Sequence, residues 1–391
     1  MKTRGNRKAP FTPSRHAEGL ADAMSAPARV PRSPARRALA LPFTRLAQHT
    51  GADRRSIPSD TMPESTHAIP PPRDHGGDLD RAMADYGGED WIDLSTGINR
   101  RPWPVGGLPA RTWQALPTRA ASDALRAVAA DWFGTVPERV LPTAGASAPI
   151  RLMGRLAVPG RAAVVGPTYN EHAAGLAAEG WPVAQVPEPE ALAGFDLGVV
   201  VNPNNPDGRS WAPERLAAVA RAVGLLVVDE SFCDPRPDLS LISASPDNVL
   251  ILRSFGKFWG LAGLRLGFAV GAPGLLARLA DCAGPWPVNG PALAIGAQAM
   301  ADRDWARAST LYHTEAALRL DLLAARAGWR AVGGTHLFRL YATPDAPAAR
   351  DALARARIWT RAFPWSRDWL RLGIPGNAAE WARLEAALAA P

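Results

Sequence analysis

One lysine stands where a side-chain amine could do covalent chemistry. In Ser254-Phe255-Gly256-Lys257-Phe258-Trp259-Gly260-Leu261-Ala262-Gly263-Leu264-Arg265-Leu266-Gly267 it falls between a predicted strand and a glycine-rich loop, with an arginine eight residues later. A primary amine forms a Schiff base with an aldehyde, and hydroxyls and cations hold phosphates. Taken alone, such a lysine is more often a solvated surface residue. Asp229 ends the apolar run of Val227-Val228-Asp229-Glu230-Ser231-Phe232, where a carboxylate is costly unless it meets a partner; its commoner role is to cap a helix. Asn202-Pro203-Asn204-Asn205-Pro206-Asp207-Gly208 is a turn by composition. Pro167-Thr168-Tyr169 puts an aromatic after a strand, ordinarily a core position. Thr143-Ala144-Gly145-Ala146-Ser147 opens a helix and would present the backbone N–H groups of Ala144, Gly145 and Ala146 to an anion. Trp369-Leu370-Arg371-Leu372-Gly373 sets one arginine in an apolar strand, where it could simply snorkel.

The elements that must position these groups are legible in the apolar pattern. Strands are predicted over residues 162–165, 197–201, 225–228, 249–252 and 266–270, rich in Val or Leu and bounded by Gly, Pro, Asn or Asp. Most are continuous runs, which suit a sheet covered on both faces. Helices lie between them, one over 213–223 with Pro213 at its first turn. This alternation predicts an α/β fold with ligand sites at the strands' carboxyl ends. A long helix over 306–327, strands over 337–341 and 369–373, and an Ala/Leu-rich helix from Ala378 predict a smaller α+β lobe. The expected division is a basic extension over 1–70, the N-terminal part of the small domain over 71–119, a large domain over 120–300, and the C-terminal small domain over 301–391.

Hydrophobic content of 47% and charged content of 21% are those of a soluble globular protein. Two cysteines, Cys233 and Cys282, form no metal-like or redox-like pair, which fits a reducing, cytoplasmic setting and no bound metal. No apolar run approaches bilayer length, so no membrane association is expected. The net charge of +7 is local: residues 1–61 hold 12 Lys+Arg and 4 Asp+Glu, leaving 32 and 33 for the rest. The charge is therefore no argument for nucleic-acid binding by the body. The Pro-, Arg-, Ser- and Ala-rich segment predicts disorder. It is read as an extension without catalytic role, or as sequence upstream of a start near Met62, ahead of a transit peptide or a nucleic-acid arm.

The lysine segment closely resembles the motif of class I and II aminotransferases, pyridoxal-5′-phosphate (PLP) enzymes of fold type I. The other segments follow in that family's order, over about residues 75–391. The resemblance implies an aspartate-aminotransferase-like α/β fold: a large, mostly parallel PLP-binding sheet domain plus a smaller α+β domain, assembled as a homodimer. It makes Lys257 the Schiff-base lysine and puts Ser254 and Arg265, with the Ala144–Gly145–Ala146 turn, on the cofactor phosphate. Asp229 keeps the pyridine nitrogen protonated, Asn205 meets the ring hydroxyl, Tyr169 stacks on the ring, and Arg371 clamps the substrate carboxylate.

Within that family the sequence resembles the threonine-phosphate decarboxylases of cobalamin synthesis, near relatives of the histidinol-phosphate aminotransferases. His75-Gly76-Gly77-Asp78 and Asp93-Leu94-Ser95-Thr96-Gly97-Ile98-Asn99 are similar to the decarboxylase opening, and Pro285-Trp286-Pro287-Val288-Asn289 to its proline–tryptophan loop. Phe232 stands where aminotransferases usually carry a tyrosine. Arg100 replaces a common proline, and Gly256 a frequent hydroxyl residue, so one phosphate contact is expected to be missing. The implied substrate is a small phosphorylated amino acid, L-threonine O-3-phosphate. Its ends would be held by Arg371 and by His75, Arg361 or Arg100, with Gly97 and Asn289 as further substrate-binding candidates. The Cα bond held perpendicular to the PLP ring is the one that breaks, so orientation decides between CO₂ loss and transamination. A histidinol-phosphate or aromatic aminotransferase is the alternative, and an aminotransferase-like regulator a third reading.

Overall fold

Thirteen strands are present among the described residues of the computed structural model, which are 75–389. The basic extension, and the disorder expected of it, lies outside them. In chain order the strands are β1 (Ile92–Asp93), β2 (Val140–Thr143), β3 (Ala162–Val165), β4 (Val183–Val186), β5 (Leu197–Val201), β6 (Leu225–Asp229), β7 (Val249–Ser254), β8 (Gly267–Gly271), β9 (Arg330–Gly334), β10 (Phe338–Ala342), β11 (Ile358–Trp359), β12 (Arg361–Ala362) and β13 (Trp369–Gly373).

Seven strands form the main sheet in the order β2-β8-β7-β6-β5-β3-β4. All run parallel except β8, which is antiparallel to both β7 and β2. The continuous apolar runs have the cause expected of them. Alternate residues enter two separate cores: Val164, Val199, Val227 and Leu250 pack on one face, and Val165, Val200, Val228 and Ile251 on the other. A strand covered on both faces has no polar side to show. The strand with Pro142, β2, lies at the sheet edge, where a missing N–H breaks no inner ladder. The opposite edge strand, β4, is partly exposed. The apolar pattern did not reveal these two edges.

Four strands, β12-β13-β10-β9, make an antiparallel sheet, and β1 pairs with β11 in parallel. The long helix Arg303–Arg326 and the last helix Ala378–Ala389 cover this region, with Leu320, Tyr341, Leu370, Trp381 and Leu384 in its core. The helix predicted from Pro213 stops at Ala220. No helix among the described residues is long and apolar enough to cross a membrane.

Candidate active site

Four parallel strands, β3, β5, β6 and β7, end on one edge of the main sheet. The segments that follow them, Thr168–Tyr169, Asn205–Pro206, Ser231–Phe232 and Gly256–Lys257, all line one cleft of about 1250 Å³. This is where an open parallel sheet offers backbone groups and helix starts to a ligand. Twelve of the candidate residues meet here: His75, Gly97, Gly145, Ala146, Tyr169, Asn205, Asp229, Ser254, Lys257, Arg265, Arg361 and Arg371.

Asp229 is the last residue of β6, one beyond the predicted strand, and is only 3% exposed. Its Oδ2 lies 2.9 Å from His172 Nε2, and its Oδ1 accepts from the Ser231 N–H at 2.9 Å and from the Ser231 hydroxyl. Burial works against the carboxylate, but His172 and Ser231 outweigh it and hold the carboxyl below its usual range. A charged acid is thus kept at the bottom of a nearly dry site. His172 is fully buried and escaped the sequence reading. The signal was its spacing: it follows Tyr169 by three residues in the first turn of helix Glu171–Ala178, and its ring lies edge-on to the tyrosine, 6.0 Å between centroids.

Lys257 lies in the short helix Phe255–Phe258 after β7. Desolvation first, and then the Arg371 charge, bring its amine down to about 8, while Asp229 pulls the other way. Such an amine has a substantial neutral fraction near neutral pH, as a nucleophile requires. Its backbone is tied down by the opening segment: the Asn99 N–H donates to Lys257 O at 3.0 Å, and Asn99 Nδ2 to Phe258 O at 2.8 Å. The Phe232 ring stands 5.6 Å from the amine and packs edge-to-face on Phe338. A Cβ on Gly97 would come within 2.8 Å of Phe232 and 2.9 Å of Phe338, so this position has room only for hydrogen.

The turn before helix Ser147–Leu152 lies against the start of β8. A Cβ at Gly267 would be 2.5 Å from the Ala146 nitrogen, so glycine there lets the two backbones touch. Gly145, at φ +71°, sits under the Arg265 guanidinium, whose Nη2 donates to Ser147 Oγ at 3.3 Å. The Gly145–Ala146 turn, two hydroxyl residues (Ser147 and Ser254) and one cation therefore line the same cleft, while the Gly145 N–H donates to Thr143 O at 2.8 Å. Ser147 was quoted in the sequence motif but not singled out. Ala144 is not among the lining residues. At Gly256 a Cβ would stand 2.8 Å from Ala262 Cα, which explains why a hydroxyl residue is absent there.

Arg371 is 7% exposed and comes from the middle of β13, an inner strand of its sheet, so it does not snorkel to solvent. Its Nη1 donates to Asn205 Oδ1 and its Nη2 to Ser95 O at 2.6 Å, while its Nε is buried without a partner. Directly across the ladder stands Arg361. Burial first and then Arg361 work against the Arg371 charge. His75 Nε2 lies 3.0 Å from Glu171 Oε1 at the cleft wall. Besides Ala144, two candidates do not join the cleft. Arg100 is occupied by Glu380, with Nε and Nη2 at 2.8 and 2.7 Å from its two oxygens. Asn289 caps helix Gly290–Ala301, accepting from the Ala292 N–H at 2.8 Å.

Comparison with known proteins places this geometry among relatives. The family model described as aminotransferase class I and II matches residues 107–388. A threonine-phosphate decarboxylase from Sinorhizobium sp is 44% identical over 325 residues, covering 81% of this chain and 97% of the relative. One from Pseudomonas aeruginosa is 42% identical with the same coverage. Among solved structures, histidinol-phosphate aminotransferase from Sinorhizobium meliloti in complex with pyridoxal-5′-phosphate superposes with a TM-score of 0.73 at 22% identity, over 84% of this chain and 97% of that one.

Proposed function

The chain belongs to the class I and II aminotransferase family, and from that premise we propose that its cleft holds PLP and releases CO₂ from L-threonine O-3-phosphate, leaving (R)-1-amino-2-propanol O-2-phosphate. The observation that carries this reading is the pair Arg361 and Arg371, opposite one another on adjacent strands and both facing the cleft. Two guanidinia side by side call for two anions, and a substrate with a carboxylate and a phosphate brings both.

The residues fit PLP. Lys257 supplies a partly neutral amine for an aldehyde, Asp229 a buried charge for a protonated ring nitrogen, and Tyr169 an aromatic face. Gly145, Ala146, Ser147, Ser254 and Arg265 form a cradle for a phosphate. Bound there, PLP would supply a sink for the electrons released at the substrate's Cα. Orientation is then the protein's task. Arg371, held by Asn205 and Ser95, fixes the carboxylate, while Arg361 and His75 take the substrate phosphate. With both ends held, these residues would orient the substrate so that its carboxylate is the group released as CO₂. Lys257 Nζ then returns a proton to Cα. Phe232 offers no hydroxyl that could tune the site for proton shuttling. A place in cobalamin synthesis, a homodimer and a cytoplasmic setting complete the reading.

The test offers L-threonine O-3-phosphate as sole substrate. CO₂ should appear without a keto acid, and L-threonine should react far more slowly because the charge-assisted contacts to its missing phosphate are lost. Arg361→Ala should raise KM for the phosphorylated substrate and leave the visible absorbance of the holoenzyme unchanged. Glutamate formed from histidinol phosphate and 2-oxoglutarate, with no CO₂ from threonine phosphate, would make the chain an aminotransferase instead.

A further inference from the structure

One rung crosses all four strands of the smaller sheet. Gly333 in β9 pairs with Leu340 in β10, Leu340 with Arg371 in β13, and Arg371 with Arg361 in β12. Residues directly opposite in antiparallel strands share a face, so a glycine and the two guanidinia of the cleft lie on one side of the sheet. The turn after β5 runs along that rung. At one end Asn205 accepts from Arg371. At the other the Asp207 carbonyl lies over Gly333, where a Cβ would be 2.1 Å from its oxygen. From the turn's side, a Cβ on Gly208, at φ +73°, would likewise be 2.1 Å from the Gly334 oxygen.

The turn is internally braced. Asp207 accepts from Asn204 Nδ2 at 2.8 Å, the Arg209 N–H at 3.0 Å and Arg209 Nε at 2.8 Å, and the Gly208 N–H reaches Asn204 O at 2.8 Å. A displacement at Asp207 is thereby carried to Asn205 two residues away. Leu340, between Gly333 and Arg371, is fully buried and leaves the rung little slack.

We propose that Gly333 is a positioning residue: its missing side chain lets the turn over 202–208 lie flat on the rung, and this spacing sets where Asn205 holds Arg371. The backbone of Gly333 is outside the left-handed region, unlike that of Gly208, so close approach rather than conformation demands the glycine. Carbon–oxygen contacts ordinarily begin at about 3.3 Å, so a methyl group here separates turn and sheet by roughly 1 Å. The inference rests on the reading that Arg371 holds the substrate carboxylate.

Gly333→Ala holoenzyme tests it, with Gly274→Ala, a glycine whose Cβ meets nothing within 4 Å, as control. An error of that size in a substrate-holding group slows turnover about tenfold or more. kcat/KM for L-threonine O-3-phosphate should therefore fall about tenfold or more, with KM rising as the carboxylate is held less well, and the midpoint of the visible absorbance on pH titration should move upward as the Arg371 charge recedes from Lys257. Gly208→Ala, acting from the other side of the contact, should repeat the pattern. A folded Gly333→Ala protein with KM and midpoint both unchanged overturns the proposal, as does an equal KM rise in the control. Failure of both Gly333→Ala and Gly208→Ala to fold overturns it too, because the contact would then serve stability and not the placement of Arg371. If Arg371→Lys leaves KM unchanged, the carboxylate clamp itself fails, which separates that reading from this one.

Discussion

Replacing Asp229 by Asn tests the buried charge with almost no change of shape. The amide oxygen can still accept from the Ser231 N–H and hydroxyl, which meet Oδ1. The other position, 2.9 Å from His172 Nε2, becomes an N–H donor. His172 must then present a bare Nε2 and carry its proton on Nδ1, which is buried and has no partner. An unsatisfied buried N–H costs about 1–3 kcal/mol of stability, so thermal unfolding should fall by roughly 2–4 °C per kcal/mol or somewhat less in a chain of this length. The larger effect is on turnover. A hydrogen bond to a charged group contributes about 1.5–3 kcal/mol, and losing one that matters mainly in the transition state slows the chemical step about 10- to 150-fold. The assay is CO₂ release at saturating threonine phosphate, with PLP content read from absorbance. If Asp229→Asn keeps its PLP and loses less than about tenfold in kcat, the assignment of Asp229 to the ring nitrogen is wrong.

Lys257→Ala should abolish turnover and the visible absorbance of the holoenzyme; a colourless wild-type protein that also fails to take up PLP would remove the cofactor reading. The folded Lys257 amine gives up its proton at about 8 and the unfolded one at the ordinary lysine value of 10.5. The unfolded state therefore binds more protons between those values, and apo-protein stability from this group rises with pH across that window. Lys257→Met should flatten this slope in denaturant titrations, and an unchanged slope would refute it. Sedimentation should give a homodimer, and a monomer that still turns over substrate contradicts the expected assembly. A chain lacking residues 1–61 should turn over normally with its net charge near −1 in place of +7; salt-sensitive DNA binding lost on that deletion would point to a regulatory role.

Sequence alone determined the local chemistry and the elements that carry it. The runs at Ala162–Val165 and Leu197–Val201 were legible because strands buried on both faces must be apolar throughout, and their ends marked where Tyr169 and Asn205 would stand. Lys257 and Arg265 were legible because their spacing lies within one continuous segment. The edges β2 and β4 were not: one holds a proline and the other is half in solvent, so neither needs an apolar run. The tertiary structure decided which cations line the cleft. Arg100, Arg361 and Arg371 are the same residue type in similar surroundings, yet Arg100 is taken by Glu380, 280 residues away in the chain. Asn289 looked able to meet substrate until the next helix claimed its side chain as a cap. The contact of His172 with Asp229 and the rung from Gly333 to Arg361 were invisible for the same reason. Hydrogen-bond partners and strand register depend on where distant segments meet, and residue type constrains only what each side chain can do when they do.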